Sequence, residues 1–333
     1  MPKNSHTPKK AREAKKGGGI QWRRWFLVVL IAGAILFAVL HWGDVKKFAE
    51  LTAKAEPMWL AGALVLQFLT YLSLSAQWWF VLKQAGSRRS ILKLLPLTIT
   101  KLFADQVVPT AGVSGNVLLV DRLKAIGVPR EHAVAAVILA IIAYYLSYAA
   151  GTIVAVAMLW WKDKLGLWLL GIAALLLTVA TAIPAAVLWL QGKGESALPR
   201  WLERRETIRE TFEMLGEAPR GLVRDPWLIV LLSLLNLVVL VADAGTLLFC
   251  LFALGLHASF TAAFVAFTMA AVVTLLGAVP LGLGSFEATS IAVLRLMGVP
   301  FEAALSATLL YRGFALWLPL AIGLFLTRGL GKK

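Results

Sequence analysis

Val279-Pro280-Leu281-Gly282-Leu283-Gly284-Ser285-Phe286-Glu287 interrupts an otherwise apolar part of the chain. An apolar run leads in from Phe260, and a short apolar segment, 288–297, leads out. A proline, two glycines and a carboxylate thus fall at a depth where a membrane helix should be continuous. Broken backbone inside a bilayer is tolerated only where protein or a water-filled cavity covers it. The stretch therefore predicts a re-entrant hairpin that lines a polar site.

The stretch has an echo in the first half of the chain. A single shift lays Val108-Pro109 on Val279-Pro280, Ser114 on Ser285, and Gly127-Val128-Pro129 on Gly298-Val299-Pro300. From 108 to 136, ten of 29 positions are identical, where composition alone gives about two to four. Shared punctuation accounts for the Gly-Val-Pro part, since Gly ends helices and Pro starts them. It does not account for Val-Pro and Ser at the same offset, so an internal repeat is expected.

Of the 333 residues, 59% are hydrophobic and 15% charged, with a mean hydropathy of +0.79. With several apolar runs beyond 18 residues, the expected class is an all-α, polytopic membrane protein. The net charge of +15 sits at span ends and in the N-terminal tail, which is the positive-inside pattern rather than a nucleic-acid footprint. One cysteine, Cys250, excludes a disulfide within the chain, and the four histidines are scattered without metal-ligand spacing. Gly282-Leu283-Gly284 follows no strand and is not a dinucleotide motif. Catalytic carboxylate pairs, a nucleophile elbow and a phosphate-binding loop are also missing, so neither an enzyme nor a cofactor is expected.

Residues 1–22 read as a disordered basic tail, either touching anionic lipid or acting only as a topology signal. Residues 23–327 read as a single transmembrane domain. Trp25 to Leu40 is the first predicted span and Met58 to Leu82 the second. Leu94 to Val108 enters the membrane, breaks at Pro109-Thr110-Ala111-Gly112-Val113-Ser114-Gly115-Asn116, and returns through Val117 to Ile126. That return is too short to cross. Ala133 to Trp161 and Leu165 to Leu190 are the next spans. The polar connection 191–225 carries seven basic residues from Lys193 to Arg224, with Trp201, Ile208, Phe212 and Leu215 on one helical face. It reads as a surface helix on the inner leaflet or as an ordinary amphipathic linker. Trp227 to Leu254, the second hairpin and Ala303 to Leu326 complete the chain.

The count is six crossings plus two re-entrant hairpins, with both termini inside. Repeat one spans about 57–161 and repeat two about 226–327. The two begin on opposite sides, which makes an inverted-topology repeat of the kind found in secondary transporters.

Each returning half-helix starts at its break, where Ser114 and Ser285 occupy N-cap positions. Two readings stand for them. The helix N-termini hold an anion such as phosphate, or the serines merely satisfy their own helix ends. The ionisable residues within the apolar segments are Lys101, Asp105, Asp243, Glu287 and Arg312. Such groups are by default functional or paired. Lys101 and Asp105, four apart, either neutralise each other or line the site. Glu287 and Arg312 form a structural salt bridge, or else a substrate or proton site. Arg122 and Arg295 sit near hairpin ends, within snorkelling distance of water. The candidate binding set is Asp105, Pro109, Gly112, Ser114, Asn116, Arg122, Asp243, Pro280, Gly282, Gly284, Ser285, Glu287 and Arg312.

Pro280-Leu281-Gly282-Leu283-Gly284-Ser285-Phe286-Glu287, with Gly298-Val299 and Tyr311-Arg312 downstream, resembles the flippase-like transmembrane domain of the lysylphosphatidylglycerol synthases. Val107-Val108-Pro109 with Gly112 and Gly115 looks like the other break of that family, and the resemblance covers most of 57–327. It implies translocation of a charged lipid between leaflets of the bacterial inner membrane, with Glu287 and Arg312 as the matched site positions. The chain given stops at Lys333, so the family's soluble aminoacyl-transferase domain is not expected here. The expectation is a lipid translocase whose partners are membrane lipids with an anionic or phosphate-bearing headgroup, with a homo-oligomer possible. The alternatives are a secondary transporter of a small solute or ion, and a non-transporting partner of a lipid-modifying synthase.

Overall fold

A computed structural model of the chain describes residue 53 and residues 55–107, 113–193, 218–276 and 282–330. The described residues are helical, without a strand among them. In chain order the helices are α1 (Pro57–Gln84), α2 (Ile91–Val107), α3 (Val113–Ala125), α4 (Arg130–Trp161), α5 (Leu167–Lys193), α6 (Arg220–Val223), α7 (Pro226–Ala253), α8 (Phe260–Leu276), α9 (Ser285–Leu296) and α10 (Phe301–Arg312). A π-helical turn, Gly313–Trp317, then leads into α11 (Leu318–Leu330).

Five helical segments are long and apolar enough to cross a membrane: Pro57–Gln84, Arg130–Trp161, Leu167–Trp189, Pro226–Ala253 and Phe301–Phe325. The sixth predicted span, Trp25 to Leu40, lies outside the described residues, as do the predicted surface helix over 201–215 and the break residues Pro109, Gly112 and Pro280. Outward faces are apolar. Val65, Phe68, Leu69 and Leu72 on α1 and Val230, Leu234, Val238 and Val241 on α7 are exposed, which suits a helix bundle whose solvent is hydrocarbon. The polar residues turn inward: Gln67, Ser73, Ser75, Gln77, Asn236 and Thr246 are buried.

The same series of helices occurs twice. α1 and α7 are each 28 residues long, and α2 and α8 each 17. Pro57 and Pro226 both stand at the first helical position, where a missing N–H costs nothing. Gly86 and Gly255 both close the first long helix with positive φ, +76° and +75°. After the returning half-helix Gly127 (φ +80°) and Gly298 (φ +94°) do the same. Each accompanies the same C-terminal hydrogen bonds, Val128 N to Leu123 O at 3.1 Å and Val299 N to Leu294 O at 3.0 Å. That is the αL helix stop, which glycine adopts without a Cβ penalty.

Up to the break one register holds, laying Pro57 on Pro226 and Gly86 on Gly255. After the break, the register that lays Gly127 on Gly298 is longer by two positions. The extra pair lies in the second break.

α1 and α7 pack antiparallel, and their contacts exchange partners under the register that lays Pro57 on Pro226. Gln67 Nε2 donates to Thr246 Oγ1 at 3.4 Å. The shifted pair is Asn236 with Gln77, and Asn236 Nδ2 donates to Gln77 Oε1 at 3.2 Å. Glu56 N donates to Ala253 O at 2.8 Å, and the shifted pair, Asp225 with Gln84, is joined at 3.0 Å. Contacts in which i meets j and the mate of j meets the mate of i mark an isologous, two-fold-like interface. α4 packs against α1, α7 and α8 at the centre of the bundle, while α2 with α3 and α8 with α9 form two helical hairpins.

Candidate functional site

In the first hairpin, Asp105 near the end of α2 reaches across the break. Its Oδ1 accepts a hydrogen bond from Gly115 N, in the first turn of α3, at 3.1 Å. Its Oδ2 pairs with Lys101 Nζ at 2.7 Å. A Cβ at 115 would collide with this carboxylate, so the close approach requires glycine there. The pair keeps about a fifth of its side-chain surface exposed, 19% for Lys101 and 21% for Asp105.

In the second hairpin, Glu287 sits in the first turn of α9. Its Oε2 accepts from Gly284 N at 2.7 Å, the half of a capping box that needs no side chain at the N-cap. Its Oε1 meets Arg312 Nε at 2.8 Å, with 11% and 17% of the arginine and glutamate side chains exposed. The Arg312 guanidinium lies 5.2 Å over the Phe286 ring. Phe286 stacks on Tyr311 at 5.4 Å, and Phe267 meets Tyr311 edge-on at 5.6 Å. A carboxylate backed by a cation thus accepts from a backbone amide at the start of both α3 and α9.

The predicted N-caps need correction. Gly284, at φ +83°, is the N-cap of α9, and Ser285 is its first helical residue. Ser285 Oγ donates to Gly282 O at 3.1 Å instead of accepting from the helix. Only a residue without a Cβ takes this φ at no cost, which frees the Gly284 amide for Glu287. Ser114 is the second residue of α3, not its cap. Gly282, at φ +61°, has a Cβ position that collides with the Thr274 side chain. Thr274 is the repeat mate of Asp105 in the register that lays Pro57 on Pro226, so each entering arm meets a glycine across its break with the same position.

Asp243 forms a second polar centre. It lies about 5 Å along the axis from the midpoint of α7. Its Oδ1 accepts from Gln67 Nε2 at 2.8 Å and from Thr70 Oγ1 at 3.5 Å. Tyr71, Tyr144, Tyr148 and Tyr311 are close enough to feel its charge, and Tyr144 also feels Asp105. The fifth tyrosine of the chain, Tyr145, packs edge-on to Tyr144 at 5.8 Å. Tyrosine in membrane proteins usually anchors at the interface, so these mid-span tyrosines give no site signal by residue type alone. The signal was present as a Tyr-Tyr-x-x-Tyr run in mid-span.

Asn116 is half-buried in the first turn of α3. Arg122 lies in the last turn of that helix, about 13 Å along the axis from the break, and does not join the other groups. α11 and the π turn link the hairpins. Gln106 Nε2 of α2 donates to Ala315 O at 3.4 Å, and Gly323 gives the Phe103 ring the space a Cβ would fill.

Residues 25–323 match the family described as the lysylphosphatidylglycerol synthase TM region. The chain belongs to that family. It is similar, at 36% identity over 87 residues, to a phosphatidylglycerol lysyltransferase of Bacillus subtilis (strain 168). The matched part is 26% of this chain and 10% of that relative. With its series of long apolar helices, this member of the lysylphosphatidylglycerol synthase TM family is a multi-pass membrane protein of a lipid-related family.

Proposed function

We propose that the chain moves a charged lipid headgroup between the leaflets of the bacterial inner membrane. The observation that carries this reading is the pair of breaks, each closed by a carboxylate, a cation and a helix-terminal amide inside an apolar bundle. A headgroup bearing a phosphate and an ammonium can trade partners with such a pair. Phosphate replaces the carboxylate on the amide and cation, and ammonium takes the freed carboxylate. No isolated charge is left in hydrocarbon, which is the state that costs most.

The activity named for the Bacillus subtilis relative, phosphatidylglycerol lysyltransferase, supports phosphatidylglycerol or its aminoacylated form as the lipid class. In this reading the chain has six crossings and two hairpins dipping in from opposite sides, with both termini cytoplasmic. The antiparallel α1–α7 interface is the axis of the inverted repeat, and rocking of the halves alternates access.

Reconstitution tests the proposal. Full-length protein is placed in vesicles of phosphatidylethanolamine and phosphatidylglycerol with a headgroup-fluorescent phosphatidylglycerol, and outer-leaflet fluorescence is quenched chemically. Active vesicles lose signal beyond the outer-leaflet share, whereas protein-free vesicles do not. Loss confined to that share with phosphatidylglycerol, lysyl-phosphatidylglycerol and isoprenoid-phosphate probes alike overturns the reading.

A further inference from the structure

We infer that Asp243 is a proton-binding site whose loading and release couple lipid movement to the transmembrane proton gradient. The inference rests on the translocation reading for its cargo, and on the geometry of α7 for the site.

Of Asp105, Glu287 and Asp243, the carboxylates next to the breaks and in the middle of the α1–α7 seam, two are paired with a cation: Asp105 with Lys101 and Glu287 with Arg312. Asp243 differs. Among the described residues its oxygens meet only the neutral donors Gln67 and Thr70, both on Oδ1, and no Lys, Arg or His within ion-pair distance. A carboxylate in a bilayer without a counter-ion is stable only if it can be neutralised, and protonation is the simplest way.

The α1–α7 interface does not need an acid at this place. Its polar contacts come in mates, Gln67–Thr246 with Asn236–Gln77, but the mate of Asp243 is Leu74. The same packing is therefore made once with a leucine and once with a carboxylate.

The surroundings favour a proton over a metal ion. A metal ion needs several oxygen acceptors at once, whereas Gln67 presents its N–H end to Asp243. A proton needs one oxygen, and Oδ2 accepts no hydrogen bond among the described residues while Asp243 keeps part of its surface accessible. The Tyr71 hydroxyl, on a side chain 2% exposed, likewise has no hydrogen-bond partner among the described residues.

The other titratable groups near Asp243 are Tyr71 on α1, Tyr144 and Tyr148 on α4 and Tyr311 on α10, and Cys250, two turns further along α7, lies near Tyr311. α8 contributes none, and Arg312 on α10 is held by Glu287. Tyrosine ordinarily titrates near pH ~10 and cysteine near ~8.5, both well above a carboxyl, so Asp243 is the first of these groups to exchange its proton. The step makes and breaks only the Oδ2–H bond. The proton comes from water on one side and returns to water on the other.

The test uses full-length protein in the vesicles and with the probe described above, with and without an imposed pH gradient. One proton per lipid makes a gradient of one unit shift the steady-state leaflet ratio by up to about tenfold. Wild type shows that bias, Asp243→Asn removes it, and Asp243→Glu restores it. A wild-type ratio indifferent to the gradient, a bias that survives Asp243→Asn, or one that follows sodium instead overturns the inference and leaves translocation standing.

Should no probe move in any arm, translocation fails and infrared difference spectra of the solubilised protein decide the proton site. A protonated-carboxyl band changes between about pH 5 and about pH 9 in wild type and is missing in Asp243→Asn, as expected for one titrating carboxyl. Its absence from wild type overturns the inference.

Discussion

The two hairpins close their breaks with the same three chemical groups supplied from different places. In the first, carboxylate and cation are four apart on one arm, so the hairpin is self-sufficient. In the second, Glu287 lies on the returning half-helix and its cation, Arg312, comes from the last span. The acids are not repeat mates either. Asp105 corresponds to Thr274, and Glu287 to Asn116. Two halves that share a backbone plan have thus reached the same local electrostatics by separate substitutions. The physical requirement is an anion on each buried helix terminus, not a particular residue.

Breaking the long-range pair has the largest expected effect. Arg312→Met leaves Glu287 with the Gly284 amide but no cation, at about 3–5 kcal/mol, the usual cost of opening a buried pair. Denaturant titration in detergent micelles measures it. Adding Glu287→Gln recovers part of that loss, with a coupling of about 1–3 kcal/mol, as expected of residues in contact. A purely additive double mutant shows that the two do not act as a pair.

The two break glycines sharpen the comparison. Gly115→Ala drives a methyl into the Asp105 carboxylate and costs about 1–3 kcal/mol, in the range of overpacked cores. Gly284→Ala has open space at its Cβ but keeps φ at +83°, so it costs only the left-handed backbone strain, about 1–2 kcal/mol. Equal stability of Gly115→Ala and wild type means that Asp105 does not cap α3.

Lys101→Met costs less than Arg312→Met. It opens a pair with 19% and 21% of its side chains exposed, so the loss falls between the ~0.5 kcal/mol of a helix-surface pair and the ~3–5 kcal/mol of a buried one. A loss as large as that of Arg312→Met erases the distinction between a self-sufficient and a tethered hairpin.

The long helices and both ion pairs were legible in the sequence because apolar length and isolated charges each carry a strong physical signal in a membrane. The Gly127 and Gly298 stops were legible because glycine takes the left-handed conformation that ends a helix. The α1–α7 relation was not. Its mates, Gln67 with Asn236 and Gln77 with Thr246, share polarity but not identity, and their register differs from that of the breaks. The caps were misread because a serine beside a break outweighed a glycine with positive φ. Gln67 and Thr70 were passed over because a lone glutamine in an apolar helix announces a partner without naming it.

The π turn after Arg312 gives the last span a property that a plain α-helix lacks. Such a turn stores one surplus residue. Moving that surplus along the axis turns one end of the rod by about 100° and slides it by about 1.5 Å while the other end stays put. Arg312 on one side and Gly323 on the other are therefore joined by a swivel rather than a shaft, and a change at one hairpin need not drag the other round with it.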